Sequence, residues 1–157
     1  MNRMSEEKIV SVIRDFVESI MKRDVEKTLS FLTEDVVWVQ PEGTFKGKDE
    51  VKRLLTWLPN SFWYSQLKVR DAGVGIVVKG NKALYEQTIE GVSTHNRTFE
   101  APAVSIFEFS GDKIQQYRTL CDRMTLGKQA CGEQHIGGWI DRKILGGIFN
   151  TWEGGLH

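Results

Sequence analysis

Cysteine, proline and histidine are scarce in this sequence, with two, three and three residues respectively among 157. Two cysteines, Cys121 and Cys131, cannot build the bridge framework that holds small secreted domains together. They form no C-x-x-C arrangement, so reduced thiols are expected. Of the histidines, His95 sits in the pair His95-Asn96 and reads as a solvated turn residue. His135 makes an i, i+4 pair with Cys131, with Glu133 and Asp122 as further candidate ligands. Structural or catalytic zinc takes three or four protein ligands and this spacing arises easily by chance, so no metal site is expected. Charge of one sign is also lacking: 21 basic residues balance 21 acidic ones, which does not mark nucleic acid or an anionic membrane as a partner. No apolar run approaches the roughly 20 residues of a membrane span, and Met1 to Glu7 lacks the apolar core of a signal peptide, so a cytoplasmic protein is expected. Neither G-x-G-x-x-G nor a P-loop is present, and no cofactor is expected. Ser93 and Ser105 have no paired histidine for a serine nucleophile.

What is present is an ordinary globular composition, 40% apolar and 27% charged, in a chain long enough for one domain. Ile9, Val12, Ile13, Phe16, Val17, Ile20 and Met21 recur at helical spacing behind Ser5, a plausible N-cap followed by acidic Glu6 and Glu7. Asp24 can cap a short second helix through Val25, Leu29 and Leu32, and Val36-Val37-Trp38-Val39 has the β-branched and aromatic content of a strand. Pro41, Gly43 and Gly47 mark a loop. A third helix follows through Val51, Leu54, Leu55 and Leu58, stopped by Pro59-Asn60. Beyond Phe62 the pattern changes to four long segments, about 62–79, 82–94, 97–109 and 113–124, rich in Val, Ile, Thr, Tyr and Phe. They are separated by Lys79-Gly80-Asn81-Lys82, His95-Asn96 and Ser110-Gly111-Asp112, connections short enough to require antiparallel neighbours.

Long antiparallel strands coil, and Gly73, Gly75, Gly91 and Pro102 are places for bends or bulges. The expected fold is α+β: N-terminal helices packed on a strongly curved, mostly antiparallel sheet, forming a cone with one internal pocket. Residues 1–131 make this domain, and residues 132–157 form an extension. In the extension Ile136, Ile140, Ile144 and Ile148 make an apolar helical stripe beside Leu145, Phe149 and Trp152, interrupted by Gly137-Gly138 and Gly146-Gly147. It reads as a docked helix, a dimer contact or a lid hinged at the glycine pairs.

The order helix, helix, Thr33-Glu34-Asp35-Val36-Val37-Trp38, Gly43-x-x-x-Gly47-x-Asp49-x-Val51 and four long strands resembles the nuclear transport factor two-like (cystatin-like) superfamily. Within it, residues 5 to 131 are most similar to SnoaL-like polyketide cyclases and limonene epoxide hydrolases. The resemblance to the hydrolases implies a water held by tyrosine and asparagine on the first strand, an Arg-x-Asp pair on a middle strand and an acid in the last. Those positions fall here on Trp38 and Gln40, on Glu86 and Thr88, and on Thr119 within Tyr117-Arg118-Thr119-Leu120-Cys121-Asp122. An indole cannot accept a hydrogen bond and threonine is no carboxylate base, so that triad is absent. Asp122-Arg123-Met124-Thr125-Leu126-Gly127-Lys128-Gln129 matches the SnoaL-like aspartate followed by a Leu-x-x-Gln turn. Strand alternation sets Asp122 opposite in sense to Thr119.

With Trp38 and Gln40 inward, alternation carries Glu86, Thr88 and Glu90 inward on the next-but-one strand, Phe99, Ala101, Ala103 and Ser105 on the following one, and Tyr117, Thr119 and Cys121 on the last. A one-residue slip substitutes Tyr85, Gln87, Ile89 and Arg118. Glu86 and Glu90 are the candidate catalytic bases, since an apolar pocket raises a carboxylate's pKa towards neutrality. Their bland alternative is solvated strand glutamates paired with Arg97, Arg118 or Lys82. Trp38, Gln40, Thr88, Tyr117 and Thr119 are the candidate ligand-binding residues, with Tyr85 and Tyr117 able to hold a ligand oxygen or simply to pack. The expectation is a cofactor-independent cyclase, isomerase or hydratase acting on a small hydrophobic carbonyl compound, in a homodimer. The alternative is a non-catalytic ligand-binding or dimerisation module.

Overall fold

A computed structural model describes residues 4–41, 43–58, 66–93 and 95–131. The chain opens with α1 (Glu6–Met21) and α2 (Val25–Ser30), then β1 (Leu32–Gln40), β2 (Gly43–Lys46) and α3 (Gly47–Trp57). Four further strands follow, β3 (Gln66–Lys79), β4 (Lys82–Val92), β5 (Thr98–Ser110) and β6 (Lys113–Cys121), and α4 (Arg123–Cys131) comes last. The extension, including His135, Glu133 and the isoleucine stripe, lies outside the described residues.

The helix starts obey the capping chemistry read from the sequence. Ser5 Oγ accepts from the Lys8 N–H at 3.2 Å and Asp24 Oδ1 from the Lys27 N–H at 3.0 Å. Ser19 and Thr28 join α1 to α2 through a buried hydroxyl pair at 2.8 Å. Ile9, Val12, Ile13, Phe16 and Val17 form the buried face of α1, and this face lies against the sheet. Phe16 is the hub, with ring centroids 6.2 Å from Phe31, 5.7 Å from Trp38, 6.0 Å from Phe107 and 5.2 Å from Tyr117.

The six strands lie in the order β2-β1-β6-β5-β4-β3. All pairings are antiparallel except β1 with β6, where Trp38 stands beside Tyr117. The expected mostly antiparallel sheet is therefore present, with a parallel joint that short-loop reasoning does not reach. β2 occupies part of the stretch read as loop, since four residues are too few to carry a period. The last strand stops at Cys121, where the sequence pattern extended it to 124. Asp122 ends it by capping α4, accepting from the Thr125 N–H at 3.1 Å and its hydroxyl at 2.6 Å. These bonds hold the Asp122 carboxyl below the usual range.

β3 breaks register with β4 between Asp71 and Ile76. Gly73 (φ 48°) and Gly75 (φ 63°) take the left-handed backbone that this bulge needs. The Glu86 carboxylate fills the loop of the bulge, accepting from the Val74 N–H at 3.0 Å. A Cβ on Gly73 would lie 2.0 Å from that carboxylate. Gly73→Ala should therefore cost about 1–2 kcal/mol, through the positive φ and the displaced glutamate together. Denaturant titration of the variant measures it, and stability equal to wild type would contradict the assignment.

Candidate active site

The concave face of the sheet and the helices leave a cavity of about 160 Å³. β1 contributes Trp38 and Gln40, β3 Leu67 and Val69, β4 Gln87 and Ile89, β5 Phe99, and β6 Tyr117, Thr119 and Cys121. Val17 and Ile20 of α1, Leu55 of α3 and Leu126 of α4 cover it. Trp38, Gln87 and Tyr117 are buried in its wall, whereas Pro41 is exposed and Arg123 half-exposed at its edge.

Among the described residues the wall is mainly apolar, and apart from Arg123 at its edge and the Cys121 thiol its polar groups fall into two small hydrogen-bonded sets. In one, the Trp38 indole N–H donates to Gln40 Oε1 at 2.9 Å, so the indole donor is used within the protein. In the other, Gln87 Nε2 donates to Ser105 Oγ at 2.8 Å, and Ser105 Oγ also lies 3.0 Å from Thr119 Oγ1 and 3.3 Å from the Tyr117 hydroxyl. A serine hydroxyl offers one hydrogen and two lone pairs, so these three neighbours saturate Ser105. Gln87 Oε1 is buried and has no hydrogen-bond partner among the described residues. Burial pushes the Tyr117 phenol upward, opposed only in part by its bonds with Ser105 and Thr119, and the group is a neutral phenol at physiological pH.

The inward positions expected on β1, β5 and β6 agree with this arrangement, but β4 is slipped by one. Glu86, Thr88 and Glu90 stand on the outer face, and Tyr85, Gln87 and Ile89 point inward. The cause is the parity of the β4–β5 connection. Val92 pairs with Thr98 and Tyr85 with Ser105, so odd residues oppose odd ones; a two-residue turn at His95-Asn96 would have set odd against even. The two glutamates are engaged outside the cavity. Glu86 closes the β3 bulge, and Glu90 pairs with Arg70 Nε at 3.0 Å and Lys68 Nζ at 3.7 Å. Thr88 lies opposite Pro102 on the same outer face. The premise that Glu86 and Glu90 are carboxylates on the pocket wall is thus corrected, and Thr88 does not reach the cavity either. Gln87 was legible only as the alternative register.

Farther along the concave face, Tyr85 donates to Asp71 Oδ1 at 2.8 Å, and Arg14 grips the same carboxylate with two bonds of 3.0 and 2.9 Å. Arg14 first, and Tyr85 second, hold the Asp71 carboxyl low. Burial, reinforced by the hydrogen bond to Asp71, pushes the Tyr85 phenol from its ordinary 10 up to about 12. The folded state holds this proton more tightly than the unfolded chain does. The stabilisation is therefore complete below pH 10 and is lost as pH rises towards about 12. Thermal melts across the alkaline range should show this loss in wild type and a shallower one in Tyr85→Phe; equal slopes would contradict it.

The chain matches the SnoaL-like domain over residues 13–117. No curated protein matches its sequence. Among solved structures it is similar to an NTF2-like protein from Burkholderia xenovorans LB400, at 23% identity and TM-score 0.64 over 81% of this chain and 98% of that one. It is also similar to TerC, co-crystallised with polyporic acid, at 20% identity and TM-score 0.69 over 78% and 97% of the two chains. A candidate polyketide cyclase from Xanthomonas campestris pv. campestris shares 17% identity and a TM-score of 0.70 over 78% and 96%. Two thirds of the sequence, the bulged sheet and its helix-covered hollow together place this chain in the SnoaL-like domain family, within the NTF2-like superfamily.

Proposed function

We propose that the cavity is the active site of a cofactor-independent enzyme of the cyclase or isomerase type, acting on a small, mostly apolar molecule that carries an oxygen function. The observation behind this reading is the pair of hydroxyls that Tyr117 and Thr119 bring to a mainly apolar wall, both within bonding distance of the buried Ser105 Oγ behind it. In such a site the apolar surface folds the substrate into a reactive shape, and ordered donors stabilise negative charge as it develops on oxygen. Tyr117, kept protonated by burial, is a donor for that oxygen, and Ser105 and Thr119 hold its hydroxyl in place. Relatives of this fold include a candidate polyketide cyclase. Cyclisation and isomerisation conserve mass, so the test is incubation with a panel of apolar carbonyl compounds, scanning chromatographically for products of unchanged mass. Wild type should convert at least one, and Tyr117→Phe should lower kcat by about 100-fold. Unaltered kcat in Tyr117→Phe would remove Tyr117 from the chemistry.

One observation favours the second reading, a non-catalytic binding module. Among the described residues lining the cavity there is no aspartate, glutamate or histidine, the side chains that most often serve as general base. Recovery of every tightly bound compound unreacted would decide for this reading. We also propose a homodimer through the outer sheet face. Val77, Leu84 and Leu120 are exposed there, Val104 and Ile106 lie between them in register, and Glu86 and Arg118 supply charges of opposite sign. Sedimentation of wild type as a dimer, and of Leu120→Glu as a monomer, is the expected result; a monomeric wild type would refute it.

A further inference from the structure

We propose that the ligand of this cavity must donate a hydrogen bond: it is an enol, phenol or alcohol on an apolar frame, and its O–H is received by Gln87 Oε1. This deepens the reading above and rests on the cavity being the ligand site. Gln87 is 3% exposed, it lines the cavity, and its Oε1 has no hydrogen-bond partner among the described residues. A buried amide oxygen without a partner is costly, and native proteins leave few of them. No other described residue relieves this one. Nε2 of the same amide donates to Ser105 Oγ, and Oε1 is the atom left over. Ser105 spends its single hydrogen on Tyr117 or Thr119, and neither of those hydroxyls bonds to Oε1. Of the other donors in the wall, the Trp38 indole is committed to Gln40, and Gln40 Nε2, the Cys121 thiol and Arg123 make no hydrogen bond to Oε1. What is missing is a donor arriving from inside the cavity.

The remaining wall limits what carries that donor. Leu67, Val69, Ile89 and Phe99 surround the amide with apolar surface, so the rest of the ligand is hydrocarbon or aromatic. A cavity of about 150 Å³ takes a benzene-sized guest, and this one, at about 160 Å³ and open at the Pro41 edge, suits one ring with a short chain. A carbonyl compound lacking a hydroxyl would leave Oε1 unsatisfied. A hydroxy- or enolisable carbonyl compound would satisfy Oε1 with its O–H while offering its other oxygen to Tyr117 or Thr119.

Calorimetric titration of wild-type protein with 4-propylphenol, 4-propylanisole, propylbenzene and 4-propylbenzaldehyde tests this directly. The phenol should bind about tenfold more tightly than its methyl ether, because only the ether leaves the amide oxygen buried and bare. In Gln87→Leu that preference should vanish while propylbenzene binds at least as well as before. If ether and phenol bind wild type equally, or if Gln87→Leu keeps the preference, the donor requirement is overturned while the cavity stands as a binding site. Tighter binding of the aldehyde than of the phenol also overturns it, since the amide would then be presenting its N–H. If none of the four binds, the cavity reading fails and takes the donor requirement with it.

Discussion

Phe16→Ala should lower stability by about 3–5 kcal/mol, the range for removing a fully buried aromatic ring. Phe16 is wholly buried, and its ring touches residues from four different places in the chain: Phe31 after α2, Trp38 on β1, Phe107 on β5 and Tyr117 on β6. Two of those partners are cavity walls. Trp38 and Tyr117 themselves meet edge to face at 4.4 Å, and Phe16 packs on both. Its loss removes the backing that sets their orientation, so affinity for a small apolar probe should fall along with the denaturation midpoint. Guanidinium titration measures the first effect and calorimetry the second. A loss under 1 kcal/mol would mean that the helix does not seat on the sheet as described.

Gly91→Ala is expected to cost about 3 kcal/mol, at the upper end for forcing extra volume into a packed site. Gly91 has no left-handed backbone to protect, and the constraint is spatial. A Cβ there would meet the Gln66 carbonyl oxygen at 2.1 Å and Phe99 Cζ at 2.8 Å. The first of these atoms is backbone of the neighbouring strand and cannot rotate away, so β3 must move off β4 where Leu67 pairs with Gly91. Leu67 and Phe99 line the cavity, and the same shift should weaken ligand binding. A variant with wild-type stability and binding would show that the strands do not approach so closely.

The fold was largely legible in the sequence because its signals are local. Ser5 and Asp24 cap helices whose apolar faces repeat at the helical period, and Gly73 and Gly75 announce a bulge through a backbone that other residues avoid. The site was only half legible because an inward position depends on register, which is set between strands. The turn between β4 and β5 decides whether Glu86 and Glu90 or Gln87 and Ile89 enter the cavity, and one residue of turn length reverses the outcome. His95-Asn96 carries ordinary turn chemistry under either register. The parallel joint of β1 with β6 was hidden for the same reason, since its partners are nearly eighty positions apart, Trp38 beside Tyr117. Asp122 is exposed and is not among the residues lining the cavity, having left the strand to cap α4.

The central claim is that the odd-numbered face of β4 bounds an open cavity and the even-numbered face does not. Titration of propylbenzene into Ile89→Trp and Glu90→Trp tests it most directly, because the same large side chain is placed on neighbouring residues of opposite sense. Ile89→Trp should fill the cavity and abolish binding, while Glu90→Trp should bind as wild type does. Binding lost in Glu90→Trp and kept in Ile89→Trp would contradict it.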